Sequence, residues 1–175
     1  MESTLVTTEQ LKELTSISDT IDCELLQPHL LIAQQLYVSA VLGDALYNDI
    51  LVQFDAQTIS GNSKTLLDEY IRPAIGFSSW YSAAPFLAYK TSRSGIQSQG
   101  SPDNTPVTPE ELSLYITRVE NYKNYYLKRL QNYLETNEND FPLYRTSNSQ
   151  EVSKGGGIYL GYKSRGSNTS DYGWQ

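Results

Sequence analysis

Apolar residues recur every three or four positions along most of the first 141 residues, the spacing expected of helices that bury one face. A short first helix is predicted to open at Thr7, because Gln10 completes a capping box with it. A second helix is predicted to run from Asp22 to Gly43, where glycine is a natural stop. Asp44 is then expected to cap a third, shorter helix.

A fourth helical region is predicted from Lys64 onward, with Pro73 and Pro85 inside it and a kink expected at each. Small residues between the prolines would let another backbone approach closely, so this should be the central helix. Residues 89–97 are expected to form a short hairpin or extended arm, and residues 98–106 a loop. The small residues are Ala74, Gly76, Ser78, Ser79, Ser82, Ala83 and Ala84.

The strongest helix start lies at Thr108-Pro109-Glu110-Glu111, with threonine at the cap, proline next and acids in the first turn. The apolar spacing continues to a polar break at residues 136–139, which predicts a helix of about 28 residues and roughly 40 Å. Tyrosine is dense on this helix and suits half-buried surfaces. The pattern as a whole predicts an all-α fold, a small bundle of about four to five helices.

The helical pattern is lost beyond residue 141. Glycine, serine and asparagine predict no regular structure there, yet aromatic residues are frequent and are typical of interfaces. We therefore expect a helical domain over residues 1–141 and an extended partner-docking tail over residues 142–175. The predicted partner-binding residues of the tail are Tyr144, Arg145, Lys154, Ile158, Tyr159, Tyr162, Lys163, Arg165, Tyr172 and Trp174.

Charge is distributed unevenly between these two parts. Residues 1–141 hold 9 Lys and Arg against 18 Asp and Glu, which gives −9, and residues 142–175 hold 4 against 2, which gives +2. This asymmetry suits a tail that is steered onto the acidic body of a neighbouring copy, although a +2 tail also arises as ordinary scatter. An acidic body argues against nucleic-acid binding, which calls for clustered Lys and Arg.

Candidate chemistry is scarce. Cys23 is the only cysteine and His29 the only histidine, so an internal disulfide and the usual zinc ligand sets are excluded. Six residues apart on a helix, the two side chains sit about 120° from facing alignment, and His29 is expected to be a partly buried packing residue. The adjacent acids Asp68-Glu69 and Glu110-Glu111 point to different faces. No catalytic, metal or cofactor residue is predicted.

The sequence lacks two kinds of segment that would direct the protein to a membrane or out of the cell. No apolar run is expected to reach the ~20 residues that span a bilayer, and the polar N-terminus lacks the basic and apolar regions of a signal peptide. Lys154-Gly155-Gly156-Gly157 lacks the ending of a phosphate-binding loop, so flexibility is its expected role. The sequence predicts a soluble, unsecreted protein.

Short helical motifs spread over most of residues 4 to 142 carry a resemblance to a known family. They are Thr8-Glu9-Gln10-Leu11-Lys12, Ala33-Gln34-Gln35, Val41-Leu42-Gly43-Asp44-Ala45-Leu46-Tyr47, Leu66-Leu67-Asp68-Glu69-Tyr70-Ile71-Arg72-Pro73-Ala74, Asn132-Tyr133-Leu134-Glu135 and Phe141-Pro142. In this order the chain resembles the head-to-tail adaptor (connector) proteins of tailed bacteriophages. The ring proteins of phages that infect Bacteroides-type bacteria, crAss-like phages among them, are the most similar in arrangement.

The resemblance implies a homo-oligomeric ring, a dodecamer, beneath the portal protein and next to other neck and tail ring proteins. Its lumen would continue the DNA channel and pass DNA without sequence-specific binding, and its C-terminal segment would reach onto the portal or an adjacent subunit. The implied location is the neck of the virion, after assembly in the bacterial cytoplasm and without a membrane.

Two other classes of function stay open. One is a monomeric helical binding module, such as a phage-encoded inhibitor of a host protein, that binds through its tyrosine-rich helix. The other is an enzyme acting on nucleic acid or cell wall, which the lack of convergent acid, base and metal-ligand sets disfavours. Oligomeric state separates the ring protein from the binding module.

Overall fold

A computed structural model describes residues 3–92, 95–98 and 108–144, with side chains described for residues 3–89 and 108–144. Helix α1 is Thr8–Leu14, α2 is Cys23–Leu42, α3 is Asp44–Asp55, α4 covers residues 61–88, and α5 is Pro109–Thr136. Strands β1 (Tyr89–Ser92) and β2 (Gly95–Ser98) pair antiparallel, with Tyr89 opposite Ser98. These elements confirm the all-α class and the predicted hairpin.

Two helix starts have the local chemistry that the sequence predicts. The Thr7 hydroxyl accepts a hydrogen bond from the Gln10 backbone N–H (3.2 Å), and the Thr7 N–H donates to the Gln10 side chain (3.1 Å). Thr108 and Glu111 make the same reciprocal pair at the start of α5. These hydrogen bonds from Thr108 favour the charged carboxylate and lower the pKa of Glu111.

One predicted helix cap and two predicted helix starts differ in detail. Asp22 precedes α2 but makes no side-chain cap hydrogen bond. Gly43, at φ 74°, both ends α2 and stands at the cap position of α3, so Asp44 is already the first helical residue. Helix α4 begins at Gly61 rather than Lys64, because Ser60 supplies the extended residue before it. The polar composition of residues 60–63 therefore marks a helix start and not a loop.

Both long inner helices contain a turn that is one residue wider than an α-helical turn. In α2 the turn is Gln34–Val38, where the Ser39 N–H donates to the Gln34 carbonyl. In α4 it is Leu66–Ile71, and the Arg72 N–H donates to the Leu67 carbonyl just before Pro73. Such π turns are rare and occur often where a helix carries a special contact.

Helix α4 is the centre of the bundle, as its small residues predict: α2 and α5 pack against it along most of its length, and α1 crosses it. Gly76 marks the crossing with α1, because a Cβ atom there would lie 3.4 Å from Cδ1 of Leu14. The largest fully buried side chains of the core are Leu5, Leu11, Leu26, Leu30, Leu42, Ile50, Leu66, Leu67, Ile71, Ile75, Leu130 and Leu134.

The domain extends past its predicted end. Residues 142–144 form a helical turn after Phe141, and the Tyr144 N–H donates to the Phe141 carbonyl at 3.0 Å. The Tyr144 side chain is only 4% exposed and belongs to the hydrophobic core. The prediction that Tyr144 belongs to an extended docking segment is therefore wrong, because its ring completes the apolar core that α5 leaves open. Residues 145–175 lie outside the described part of the chain.

Helix α2 also corrects an expectation about membranes. By length and composition alone it is apolar enough to cross one, with a mean hydropathy of 1.2, and only 39% of that apolar window is buried. The reason is that residues 25–42 contain no Asp, Glu, Lys or Arg, and the polar residues there are uncharged glutamines, one serine and one histidine. Its inner face supplies Leu26, Leu30 and Leu42 to the core.

Candidate functional site

The predicted docking residues are nearly all beyond the described chain. Arg145, Lys154, Ile158, Tyr159, Tyr162, Lys163, Arg165, Tyr172 and Trp174 lie there, so their role stays a prediction. The tenth residue, Tyr144, is buried in the core. Candidate functional surfaces must therefore be sought on the helices themselves.

His29 has the packing environment that the sequence predicts. It is buried, its ring lies 5.1 Å from that of Phe86, and its Nδ1 is 3.0 Å from Oγ of Ser82. Burial disfavours the imidazolium and lowers the pKa of His29. Cys23 does not share these partners: its Sγ donates to a Glu9 carboxylate oxygen at 3.8 Å. The two side chains are thus engaged separately, and neither contact prepares a nucleophile.

Acidic and metal-ligating side chains are dispersed. Across residues 3–92, 95–98 and 108–144 no group of three or more His, Cys, Asp and Glu residues is placed to hold a metal ion. Asp68 forms an ion pair with Arg72 one turn along α4. Glu111 is occupied at the cap of α5. These carboxylates therefore have local structural partners.

A ladder of aromatic rings joins α4 to α5. Tyr70 stacks on Tyr133 with centroids 3.9 Å apart, and Phe77 stacks on Tyr126 at 4.3 Å with planes 6° apart. Further along α4 the Trp80 Nε1–H donates to the Tyr115 hydroxyl at 2.9 Å. Aromatic rings gain from such offset and edge contacts beyond the area they bury. The ladder consists of Tyr70, Phe77, Trp80, Tyr115, Tyr122, Tyr126 and Tyr133.

The ladder opens onto the surface where the end of α1 lies across it. A cleft of about 350 Å³ is formed there, with aromatic rings as its floor and the end of α1 as one wall. We call this the aromatic cleft. No side chain in its lining carries a charge, and hydroxyl groups alternate with apolar surface, so it suits an uncharged occupant. Its lining residues are Leu14, Thr15, Ser16, Phe77, Trp80, Tyr122 and Tyr126.

A second unusual surface lies on α2. Leu25 is 57% exposed, Leu36 is 64% exposed, and Ile32 between them is 38% exposed. Residues seven and eleven apart return to nearly the same side of a helix, so the three form one line. Phe86 of α4, which is 63% exposed and packs on His29, adjoins that line. We call Leu25, Ile32, Leu36 and Phe86 the α2 ridge.

Sequence reasoning missed the α2 ridge because α2 carries a second line of apolar residues beside the one that enters the core. Leu26, Leu30 and Ala33 are fully buried, whereas Leu25 and Leu36 face outward. The signal was present in the sequence: a charge-free helix holds more apolar positions than one buried face needs.

Lys123 of α5 occupies a cage of two tyrosines. Its Nζ lies 3.9 Å from the centroid of the Tyr81 ring and 5.0 Å from that of Tyr37, and it pairs with Glu120 at 3.5 Å. The side chain is 7% exposed. Burial, followed by the proximity of Tyr81 and Glu120, raises the pKa of Tyr37. The ammonium therefore ties α2, α4 and α5 together at one point.

The N-terminal segment is held by one side chain from the π turn of α2 and by one that directly follows the π turn of α4. The Leu5 N–H donates to Oε1 of Gln34 at 2.9 Å, and the Leu5 carbonyl accepts from Nε of Arg72 at 3.3 Å. Gln34 is fully buried and also donates to the Ser3 carbonyl and the Tyr47 hydroxyl. Both π turns are thus next to the N-terminal segment, because Gln34 lies in the first and Arg72 directly follows the second.

Comparison with known proteins identifies a family but no activity. Residues 38–154 match a family described as a family of unknown function (DUF6712). No curated protein matches the chain, and no solved structure matches it either. The matched region runs from the π turn of α2 through α3, α4 and α5, and so includes the aromatic ladder.

Proposed function

We propose that this chain, which belongs to the DUF6712 family of unknown function, is a structural connector subunit of a tailed bacteriophage. In this proposal it forms a dodecameric ring beneath the portal protein, stacked against other neck and tail ring proteins, in the neck of the virion. The ring links head to tail and continues the DNA channel.

The observation that carries the proposal is the presence of two different uncharged surfaces on an acidic body. The α2 ridge, on α2 and the end of α4, and the aromatic cleft, between α1, α4 and α5, share no residue, and both leave apolar side chains in contact with water. A closed ring needs two unlike patches on every subunit, since each copy contacts its two neighbours through different faces. One exposed apolar patch would suffice for a simple binding module.

Charge supports a role as a conduit. Residues 1–141 carry −9, and an acidic wall repels the DNA backbone, which lets DNA slide rather than bind. A structure of the assembled ring would test this step directly. A strongly basic inner surface would contradict it.

A monomeric helical binding module, for example an inhibitor of a host protein, is the second candidate. The aromatic cleft favours it, because tyrosine and tryptophan are enriched where proteins bind other proteins. This candidate leaves the α2 ridge without a role, so we place it second.

Mass measurement on the full-length chain, alone and mixed with portal protein, tests the proposal. A connector subunit should enter a complex of ring size when portal is present, even if it is small in isolation. A chain that stays monomeric with portal and instead binds a host protein would contradict the ring and support the binding module.

The C-terminal residues offer a second test. Deleting residues 146–175 should leave the far-ultraviolet circular dichroism of the helical body intact, because the core closes at Tyr144. The same deletion should weaken assembly with portal if those residues dock on partners. A truncated chain that unfolds would instead place them in the core.

A further inference from the structure

We propose that the contact between neighbouring copies is heterologous: the α2 ridge of one copy packs into the aromatic cleft of the next. This inference rests on the proposed function and names the surfaces through which the ring closes.

Charge is the first reason to choose a second copy as the occupant. A body that carries −9 repels its own copies wherever two charged surfaces meet. Residues 25–42, which hold most of the ridge, and the residues that line the cleft contain no charged side chain. Two such acidic molecules can approach at these surfaces without setting like charges opposite each other.

Shape is the second reason. The ridge is a line of apolar side chains that projects from one helix, with Leu25 and Leu36 at its ends, more than half exposed. The cleft is concave, floored by rings and open to solvent. Helices usually pack by fitting a row of side chains on one surface into a groove between side chains on the other. A ridge and a cleft on every copy also give the two unlike faces that a ring requires.

The alternatives fit the observations less well. A membrane would accept the ridge, but a protein with a net charge of −7 is repelled by anionic lipid surfaces. A symmetric pairing of two ridges would bury the ridge but leave the aromatic cleft open, and it would stop at a dimer.

Cross-linking in the full-length chain tests the pairing. In a Cys23→Ser background, Leu36→Cys places a thiol on the ridge and Ser16→Cys places one at the rim of the cleft. A short bismaleimide should join the two single variants to each other when they are mixed. The double variant, with both thiols on one chain, should give a ladder of dimers, trimers and higher multimers.

Matched controls make the outcome decisive. The control chain carries Ser16→Cys and Val52→Cys, which places its second thiol on α3. Val52 is 68% exposed and distant from the ridge in sequence. This control should give at least tenfold less cross-linked multimer. Cross-linking of Leu36→Cys to itself would overturn the proposal in favour of a symmetric dimer. A double variant that cross-links only within one chain would overturn it as well.

A substitution pair provides an independent readout. Leu36→Asp should weaken association in sedimentation at least tenfold, whereas Val52→Asp, equally exposed, should leave it unchanged. Neutral phosphatidylcholine vesicles serve as the membrane probe. The proposal would be overturned if the unmodified chain bound these vesicles and Leu36→Asp abolished that binding, because lipid would then be the occupant of the ridge.

Failure of this inference and failure of the proposed function give different results. If the chain assembles with portal into a ring but gives no multimers cross-linked between Leu36→Cys and Ser16→Cys, the proposed function stands and this interface is wrong. A chain that forms the ladder yet never joins the portal keeps the interface and loses the connector role.

Discussion

Helices α2 and α5 pack on the same central helix with opposite chemistry. Between residues 25 and 42 α2 has no charged residue, yet it leaves leucines in water. Helix α5 is rich in charge and tyrosine, yet it places Tyr126 and Tyr133 in stacked contacts with α4. This difference shows that the apolar content of a helix does not by itself predict how much of the helix is buried. The apolar excess of α2 has no partner within the described chain, whereas the tyrosines of α5 mostly do.

The largest expected effect separates the two lines of α2. Leu30→Ala should lower the free energy of unfolding by about 2 to 5 kcal/mol, because it leaves a cavity beneath a fully buried side chain. Leu36→Ala should change it by less than about 0.5 kcal/mol in the isolated chain. Urea unfolding measures both. Equal losses would mean that the ridge belongs to the core.

The next effect concerns the point where α2, α4 and α5 meet. Lys123→Glu should cost about 3 kcal/mol, because a carboxylate would lie over the faces of Tyr37 and Tyr81 and beside Glu120. Lys128→Glu, at an exposed site five residues on, is the control and should cost less than about 0.5 kcal/mol. Urea midpoints compare the two, and similar losses would show that the cage contributes nothing specific.

Adjacent tyrosines of α5 provide a smaller and closely matched comparison. Tyr126→Ala removes a ring stacked on Phe77 and should lower stability by about 2 kcal/mol. Tyr125→Ala, at a position that is 63% exposed, should cost less than about 1 kcal/mol. Near-ultraviolet circular dichroism should change more for Tyr126→Ala than for Tyr125→Ala, because Tyr126 also stacks on Phe77. If Tyr125→Ala lowers stability more than Tyr126→Ala does, the aromatic ladder is not what holds α5 against α4.

The smallest expected effect is the pH dependence from His29. Its pKa is lowered from the ordinary 6.5 by burial, so below that value the unfolded chain binds more protons than the folded one. Stability from this group is therefore complete above about pH 6.5 and is lost as pH falls through the lowered value. Thermal unfolding at pH 7.5 and 5.5 should show a larger drop for the unmodified chain than for His29→Gln. An identical drop in both would assign the acid sensitivity to other groups.

Local chemistry explains what the sequence predicts well. The capping boxes at Thr7 and Thr108 involve residues three apart, and α5 has the predicted length of 28 residues because both its ends are set locally. The central position of α4 follows from its small residues, such as Gly76 beneath Leu14.

What the sequence did not predict depends on partners distant along the chain. The buried line of α2, with Leu26, Leu30 and Ala33, follows from its helical spacing, but the second line, with Leu25 and Leu36, stays exposed because α1 and α4 pack only on the first side. The sequence places Tyr144 in the tail because the polar residues 146–150 follow it, whereas its side chain belongs to the hydrophobic core. No local signal marks the π turns, and the side chains at or directly after them, Gln34 and Arg72, bind residues 3–5, which are distant in sequence.

That hold on the N-terminus has a consequence for the order of folding during synthesis. Leu5 is synthesised before its hydrogen-bond partners, which are 29 and 67 residues further on. It cannot reach its final place until α2 and the π turn of α4 have formed. In pulsed hydrogen exchange during refolding, we expect the Leu5 amide to gain protection later than the amides of α5. The segment around Leu5 would then acquire its native structure after the helices that bind it.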